Sequence, residues 1–305
     1  MILLIEKYKT LTLPLVTFVF FSLLLTSLSA EETQAPIGEA PTDQLSHLFL
    51  RDSEVLLKPR QIQFSIGFNY NSDESQLSFR QNRSRSLSIP LSITYGLTEN
   101  LEVNATLPLQ HKRNEVIAPT NVSKTSQSGI GDLSLGLSYK LKPETASSPS
   151  ITSSFEITTP TGKEADSSDS PSIGSGFWGL SSSIHASKSV DPAVIFANLG
   201  YQHRFKDTVA GSTVQPGSTV TYGLGAGLSI NSSVSFSGRI SGNYQFETKR
   251  NGQKVIGSNM EPISFIAGMS YRVSPRSRLE TNVDFGLSED AGDIGISTSY
   301  IWDAL

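Results

Sequence analysis

The chain has 305 residues, a formal net charge of −4, no cysteine and 37% hydrophobic residues. Without thiols it has no disulfide staples, no thiol nucleophile and no cysteine-ligated metal. Its slight acidity provides no basic field for nucleic acid, and a single early apolar stretch rules out a multi-helix membrane protein.

Residues 1–30 read as a cleaved signal peptide. Lys7 and Lys9 form a short positive region, Leu11 to Leu25 is apolar, and Leu28-Ser29-Ala30 offers a small-residue cleavage site before Glu31-Glu32. A retained membrane helix would want about 20 apolar residues, slightly more than are present. No Cys follows the site, so the exported form is not a lipoprotein. Residues 31–59 form a periplasmic lead-in segment, with Leu48-Phe49-Leu50 and Val55-Leu56-Leu57 available to pack at the mouth of the domain that follows.

That domain, residues 60–305, is a succession of strands. Ile62, Phe64, Ile66, Phe68 and Tyr70 fall on one face, and Gln61, Gln63, Ser65, Gly67 and Asn69 on the other. This is the two-residue period of a strand with one apolar and one wet face. The apolar face returns at Leu87 to Tyr95, Leu101 to Leu109, Leu133 to Leu141, Ile151 to Ile157, Trp178 to Ala186 and Ile195 to Tyr201. It continues at Val220 to Leu228, Val234 to Phe246, Ile263 to Tyr271, Leu279 to Leu287 and Ile294 to Trp302. With the first strand this makes about twelve, an even number as single-chain bacterial barrels require.

The connections alternate in length. Short turns at Thr98-Glu99-Asn100, Ser189-Val190-Asp191-Pro192, Asn231-Ser232 and Ser274-Pro275-Arg276-Ser277 separate longer polar loops at 71–83, 111–128, 160–175, 206–216 and 247–261. Short periplasmic turns opposite long external loops are the asymmetry of outer-membrane barrels. A soluble β-sandwich or barrel would also alternate, but two features favour lipid outside. Many strands reach the length a tilted membrane strand needs, longer than the usual soluble strand. Aromatic residues also end the apolar faces: Tyr95, Tyr139, Tyr271, Tyr300 and Trp302 at one level, Tyr70, Trp178, Tyr201, Tyr222 and Tyr244 at the other. The fold class is therefore all-β, a single closed antiparallel transmembrane β-barrel of about 12 strands. Its expected place is the outer membrane of a Gram-negative bacterium. Pro90 and Pro108, equidistant from Glu99, should oppose one another and disturb the ladder by a bulge or an early ending.

The polar faces carry Glu102, Asp132, Lys140, Glu156, Arg204, Arg239, Arg272, Glu280 and Asp284, the candidate lumen-lining residues. Two outcomes stay open. The charges could filter small solutes through a polar pore, or pair across a narrow interior and plug it. His185 and Ser187 share one strand face, but no third orienting residue accompanies them, and parity places them on the lumen side, away from a lipid substrate. Gly223 to Gly227 lies inside a strand with no helix after it, so it is no dinucleotide fingerprint. The acidic loop clusters at Asp166/Asp169 and Asp290/Asp293 match no Ca²⁺ loop. No catalytic, cofactor-binding or metal-binding residue is assigned.

Three segments together resemble the outer-membrane barrels of the meta-pathway phenol-degradation family. They are Tyr95 through Pro108, Gly131-Asp132 through Tyr139, and Pro160-Thr161-Gly162 with Ser172 through Gly179. The run from Ser189 to Tyr201 and the lead-in from Phe49 to Pro59 continue the likeness. The resemblance implies an outer-membrane channel or transporter for passive uptake of aromatic or other small solutes, without cofactor. The alternative is a non-transporting surface-binding or structural barrel, plugged by its lumen charges. The expected partners are outer-membrane lipid, a small-molecule solute and the barrel-assembly machinery during biogenesis, with no nucleic acid.

Overall fold

The computed structural model describes residues 56–77, 80–118, 121–162, 171–209 and 211–304. The expected signal peptide, the lead-in up to residue 55 and the Asp166/Asp169 cluster lie outside these residues. The described part contains the strands β1 (Ile62–Leu77), β2 (Arg80–Thr98), β3 (Leu101–Ala118), β4 (Asn121–Ile130), β5 (Ser134–Lys142) and β6 (Ser150–Thr158). Next come β7 (Gly179–Val190), β8 (Ala193–Arg204), β9 (Asp207–Val209), β10 (Ser212–Gln215), β11 (Thr219–Ser229) and β12 (Val234–Gln245). The last are β13 (Lys249–Arg250), β14 (Gln253–Lys254), β15 (Ile263–Ser274), β16 (Ser277–Gly286) and β17 (Ile294–Asp303).

Twelve of these close a ring in the order β1, β2, β3, β5, β6, β7, β8, β11, β12, β15, β16, β17, each antiparallel to its neighbours. The last strand returns to the first, with Gln63 opposite Asp303 and Ser72 opposite Ile294. The Phe64 and Trp302 rings stack across this seam with centroids 5.4 Å apart. Closure gives every spanning strand a partner on both sides, which hydrocarbon demands of backbone N–H and C=O groups.

The apolar faces point outward. Leu224 is 62% exposed and Leu199 60%, with Ile66, Phe68, Leu135, Ile240 and Phe236 also exposed. A water-soluble monomer rarely shows so continuous an apolar surface; against acyl chains it is the bonded one. The inward parity is mostly polar, and Ser235 is only 1% and Thr152 only 2% exposed.

Pro90 does stand opposite Pro108. Neither a bulge nor an early end results between β2 and β3, whose pairing runs on to Gln81 and Ile117. Instead β1 and β2 skip the bridges between Ile66–Leu91 and Asn69–Ser88, where the Pro90 nitrogen has no hydrogen to give. On the far side, β3 faces the break between β4 and β5, where Gly131 N donates to Pro108 O at 2.7 Å.

Two predicted loops are β-structure. Residues 71–77 and 80–83 extend the β1–β2 hairpin, and 111–118 with 121–128 form most of the β3–β4 hairpin, with β4 pairing only the outer part of β3. These extensions are mainly polar on both faces, with apolar Val116, Ile117 and Val122 only near the β3–β4 tip, so no alternation marks them in the sequence. Cross-strand ion pairs support them, Arg83–Glu74 at 2.9 Å and Lys124–Glu115 at 2.8 Å. The predicted loops 206–216 and 247–261 also pair with each other, as a four-stranded sheet of β9, β10, β13 and β14. Asn251 (φ 50°) and Gly252 (φ 81°) form the two-residue turn between β13 and β14, a conformation that Asn-Gly favours.

Candidate functional site

The lumen is built from the polar parity of twelve strands, and it differs between its two ends. At the short-turn end the inward residues pack. Gln63, Thr94, Ser138, Thr152, Ser187, Ser235 and Ser270 are buried, each within a few positions of a strand end at the short turns. Apolar Val194, Phe196 and Ile301 are buried with them. The end of the lead-in enters the same zone. Leu56 is buried, and Leu57 N donates to Glu102 Oε2 at 2.9 Å. Arg60 N donates to Gly96 O at 2.8 Å, which ties the segment to β2 as β1 begins. Gln63 Nε2 donates to Asp303 Oδ1 at 2.7 Å and Arg278 Nε to Glu280 Oε1 at 2.7 Å, so charges here are held by partners.

At the long-loop end, Asp132 organises the rim. It lies in the break between β4 and β5, opposite the end of the Pro108 disturbance. Its Oδ1 accepts Gly162 N at 2.8 Å and its Oδ2 accepts Ser175 N at 2.6 Å. One carboxylate therefore fastens both ends of the β6–β7 connection. The two chain segments cross so closely that a Cβ on Gly162 would sit 2.4 Å from the Gly174 Cα, which only glycine permits. Ile173 is buried beside this crossing, and Lys112 Nζ donates to Ser172 O at 2.9 Å from the polar face of β3.

The remaining predicted lumen residues spread along the barrel. Lys140 on β5 and Arg272 on β15 lie toward the short turns, with Arg272 directly opposite Arg278. Glu156 sits on β6 opposite Ser181, and Arg204 ends β8 opposite Gly179. Arg239 and Asp284 share one row across the wall, with Ile266 between them. That row continues through Gly225 to Phe196. A Cβ on Gly225 would lie 2.5 Å from the Phe196 ring and 2.7 Å from Arg239 Cβ, so the ring covers the glycine beside the arginine.

Sequence reasoning missed four participants. Arg278 partners Glu280, and Phe196, Ile266 and Val194 put apolar surface inside. The signal was available: on β8, Val194 and Phe196 take the parity of polar Asn198 and Gln202. His185 Nε2 lies 2.9 Å from Ser183 Oγ, while Ser187 Oγ lies 2.7 Å from Ser150 Oγ.

Residues 63–302 match the model of the family described as "Putative MetA-pathway of phenol degradation". Among solved structures, the fold is similar to the COG4313 outer membrane channel from Pseudomonas putida F1. That match has a TM-score of 0.66 and 13% identity over 81% of this chain and 97% of the other. It is also similar to the transport unit of the autotransporter AIDA-I from Escherichia coli, with a TM-score of 0.50 and 10% identity over 87% and 99% of the two chains.

Proposed function

Because this chain belongs to the family described as "Putative MetA-pathway of phenol degradation", we propose that it is an outer-membrane channel for passive uptake of small aromatic solutes. The observation that carries this reading is the inward row Phe196–Gly225–Arg239–Ile266–Asp284. It sets the aliphatic Ile266 between a cation and an anion, with the buried Phe196 ring packed over Gly225 beside them. An aromatic solute with a polar substituent needs both apolar and charged surface, whereas a sugar-selective wall would be polar throughout. Glu156 and Arg204 lie farther toward the long loops and would meet the solute earlier; Lys140, Glu102, Arg272 and Glu280 would meet it last.

In this reading the signal peptide is removed after export to the periplasm of a Gram-negative cell. The barrel-assembly machinery then closes the chain in lipid. The short turns face the periplasm, by the loop asymmetry of such barrels.

A second reading, a plugged surface-binding or structural barrel, is favoured by one observation: the packed inward layer at the short turns. Planar-bilayer conductance and liposome uptake of phenol-sized solutes separate the two. Uptake that exceeds that of a sugar of equal size supports the channel. Neither current nor uptake from a folded, inserted barrel overturns it in favour of the plugged form.

A further inference from the structure

Outside the lumen, a hollow of about 510 Å³ lies at the long-loop end, lined by Tyr244, Phe246, Glu247, Lys249, Lys254 and Asn259. Tyr244 has the outward parity of Phe236 and Ile240 on β12, and it meets Phe246 edge to face at 5.0 Å. The hollow therefore opens on the side where lipid lies, at the level of the aromatic belt. Below it the wall is apolar through Ile240 and Leu224.

Two lysines form the upper edge. The Asn251-Gly252 turn fixes a register in which Lys249 stands directly opposite Lys254. Like charges placed this way destabilise a strand pair unless something anionic joins them. Glu247 meets Lys254 at 3.1 Å, while Lys249 has no carboxylate partner among the described residues. The hollow thus keeps a net positive edge above an aromatic floor.

We infer that this hollow binds a phosphorylated lipid of the outer leaflet. The phosphate lies between the Lys249 and Lys254 ammonium groups, where charge-assisted hydrogen bonds form at the short distances such pairs favour. The Asn259 amide donates to ester or sugar oxygens. The Tyr244 and Phe246 rings cover the headgroup's carbon skeleton, and the acyl chains descend along Ile240 and Leu224. A soluble anion would use the lysines but gain nothing from the apolar floor and the wall beneath it, so a lipid is the better fit.

Native mass spectrometry of the full protein in detergent, titrated with lipid A and with the same lipid stripped of its phosphates, tests this. The wild type should bind the phosphorylated form at least about tenfold more tightly, roughly a difference of one charge-assisted contact. The pair Lys249→Gln with Lys254→Gln should lose that preference, and Lys249→Arg with Lys254→Arg should retain it in a barrel with the same turn. Millimolar inorganic phosphate should not displace the lipid. Equal binding of the two lipids, an unchanged Gln pair, or full displacement by inorganic phosphate would overturn the assignment.

Discussion

Pro90 and Pro108 face each other across β2 and β3, and the defects they cause fall on opposite outer sides of that pair. A residue without an N–H can sit in a closed sheet only where the neighbouring ladder yields. Placing both at one level concentrates the loss. On the β1 side two bridges are skipped; on the other side the chain leaves the sheet at Gly131-Asp132-Leu133. The second gap is where Asp132 gathers the rim.

Asp132 should therefore control the order of the β6–β7 connection. Asp132→Ala leaves Gly162 N and Ser175 N without their acceptor, and each hydrogen bond to a charged group is worth about 1.5–3 kcal/mol. Limited proteolysis of the detergent-solubilised barrel should cut the variant faster near residues 171–178. Asp132→Asn, which keeps one carbonyl oxygen, should fall between. Equal cutting of all three would show that the carboxylate is dispensable.

The orientation of the strands can be checked on two adjacent residues. Ile240, exposed on the outer face of β12, should cost roughly 2–4 kcal/mol when changed to Arg near the bilayer midplane. Ser241→Arg points into the lumen and should cost clearly less. Folding titrations into lipid vesicles measure both, and the reverse ranking would mean that the faces are assigned backwards.

Gly225 tests the inner row. A methyl there would meet the Phe196 ring at 2.5 Å, so Gly225→Ala should lower stability by about 1–3 kcal/mol through overpacking. Phe196→Ala alone leaves a gap. The double variant should be more stable than the sum of the two single losses predicts, a coupling that a double-mutant cycle reads directly.

A pH effect is expected at the short-turn end. Burial pushes the Glu144 carboxyl up, but hydrogen bonds from Ser189 N, Lys188 Nζ and the Ser189 hydroxyl outweigh it and hold the group below its ordinary range. With the folded value depressed, its stabilisation is present above the unfolded value of about 4.3 and is lost as pH falls through the folded one. The site is partly exposed, so the effect should stay below about 1 kcal/mol. Thermal melts from pH 7 to pH 3 should show the advantage of wild type over Glu144→Gln shrinking only on the acid side. A constant difference would rule the carboxylate out.

Where one face of a strand meets lipid and the other does not, as from Ile62 to Tyr70, composition alternates and the strand is legible. The outer hairpins around Arg83 and Lys124 touch water on both sides, so their strands carry no such period. Residues 247–261 read as a polar loop although Asn251-Gly252 is a hairpin signal, because the partner strand β10 lies more than thirty residues away in sequence. The role of Asp132 was hidden for a similar reason. Its two donors, Gly162 and Ser175, come from separate stretches, although all three belong to the segments that carry the family likeness. Polar parity alone groups Asp132 with Glu102 and Arg239, and says nothing of which backbone it meets.

The seam between β1 and β17 also governs timing. Since the opening strand finds its second neighbour only in residues 294–303, no partial product of synthesis can be a finished cylinder. A chain cut before Ile294 would carry two raw edges, on β1 and β16, into a solvent that offers no hydrogen bond to either. β1 and β16 therefore stay open edges until residues 294–303 pair with both. The stacking of Phe64 on Trp302 then marks the finished ring.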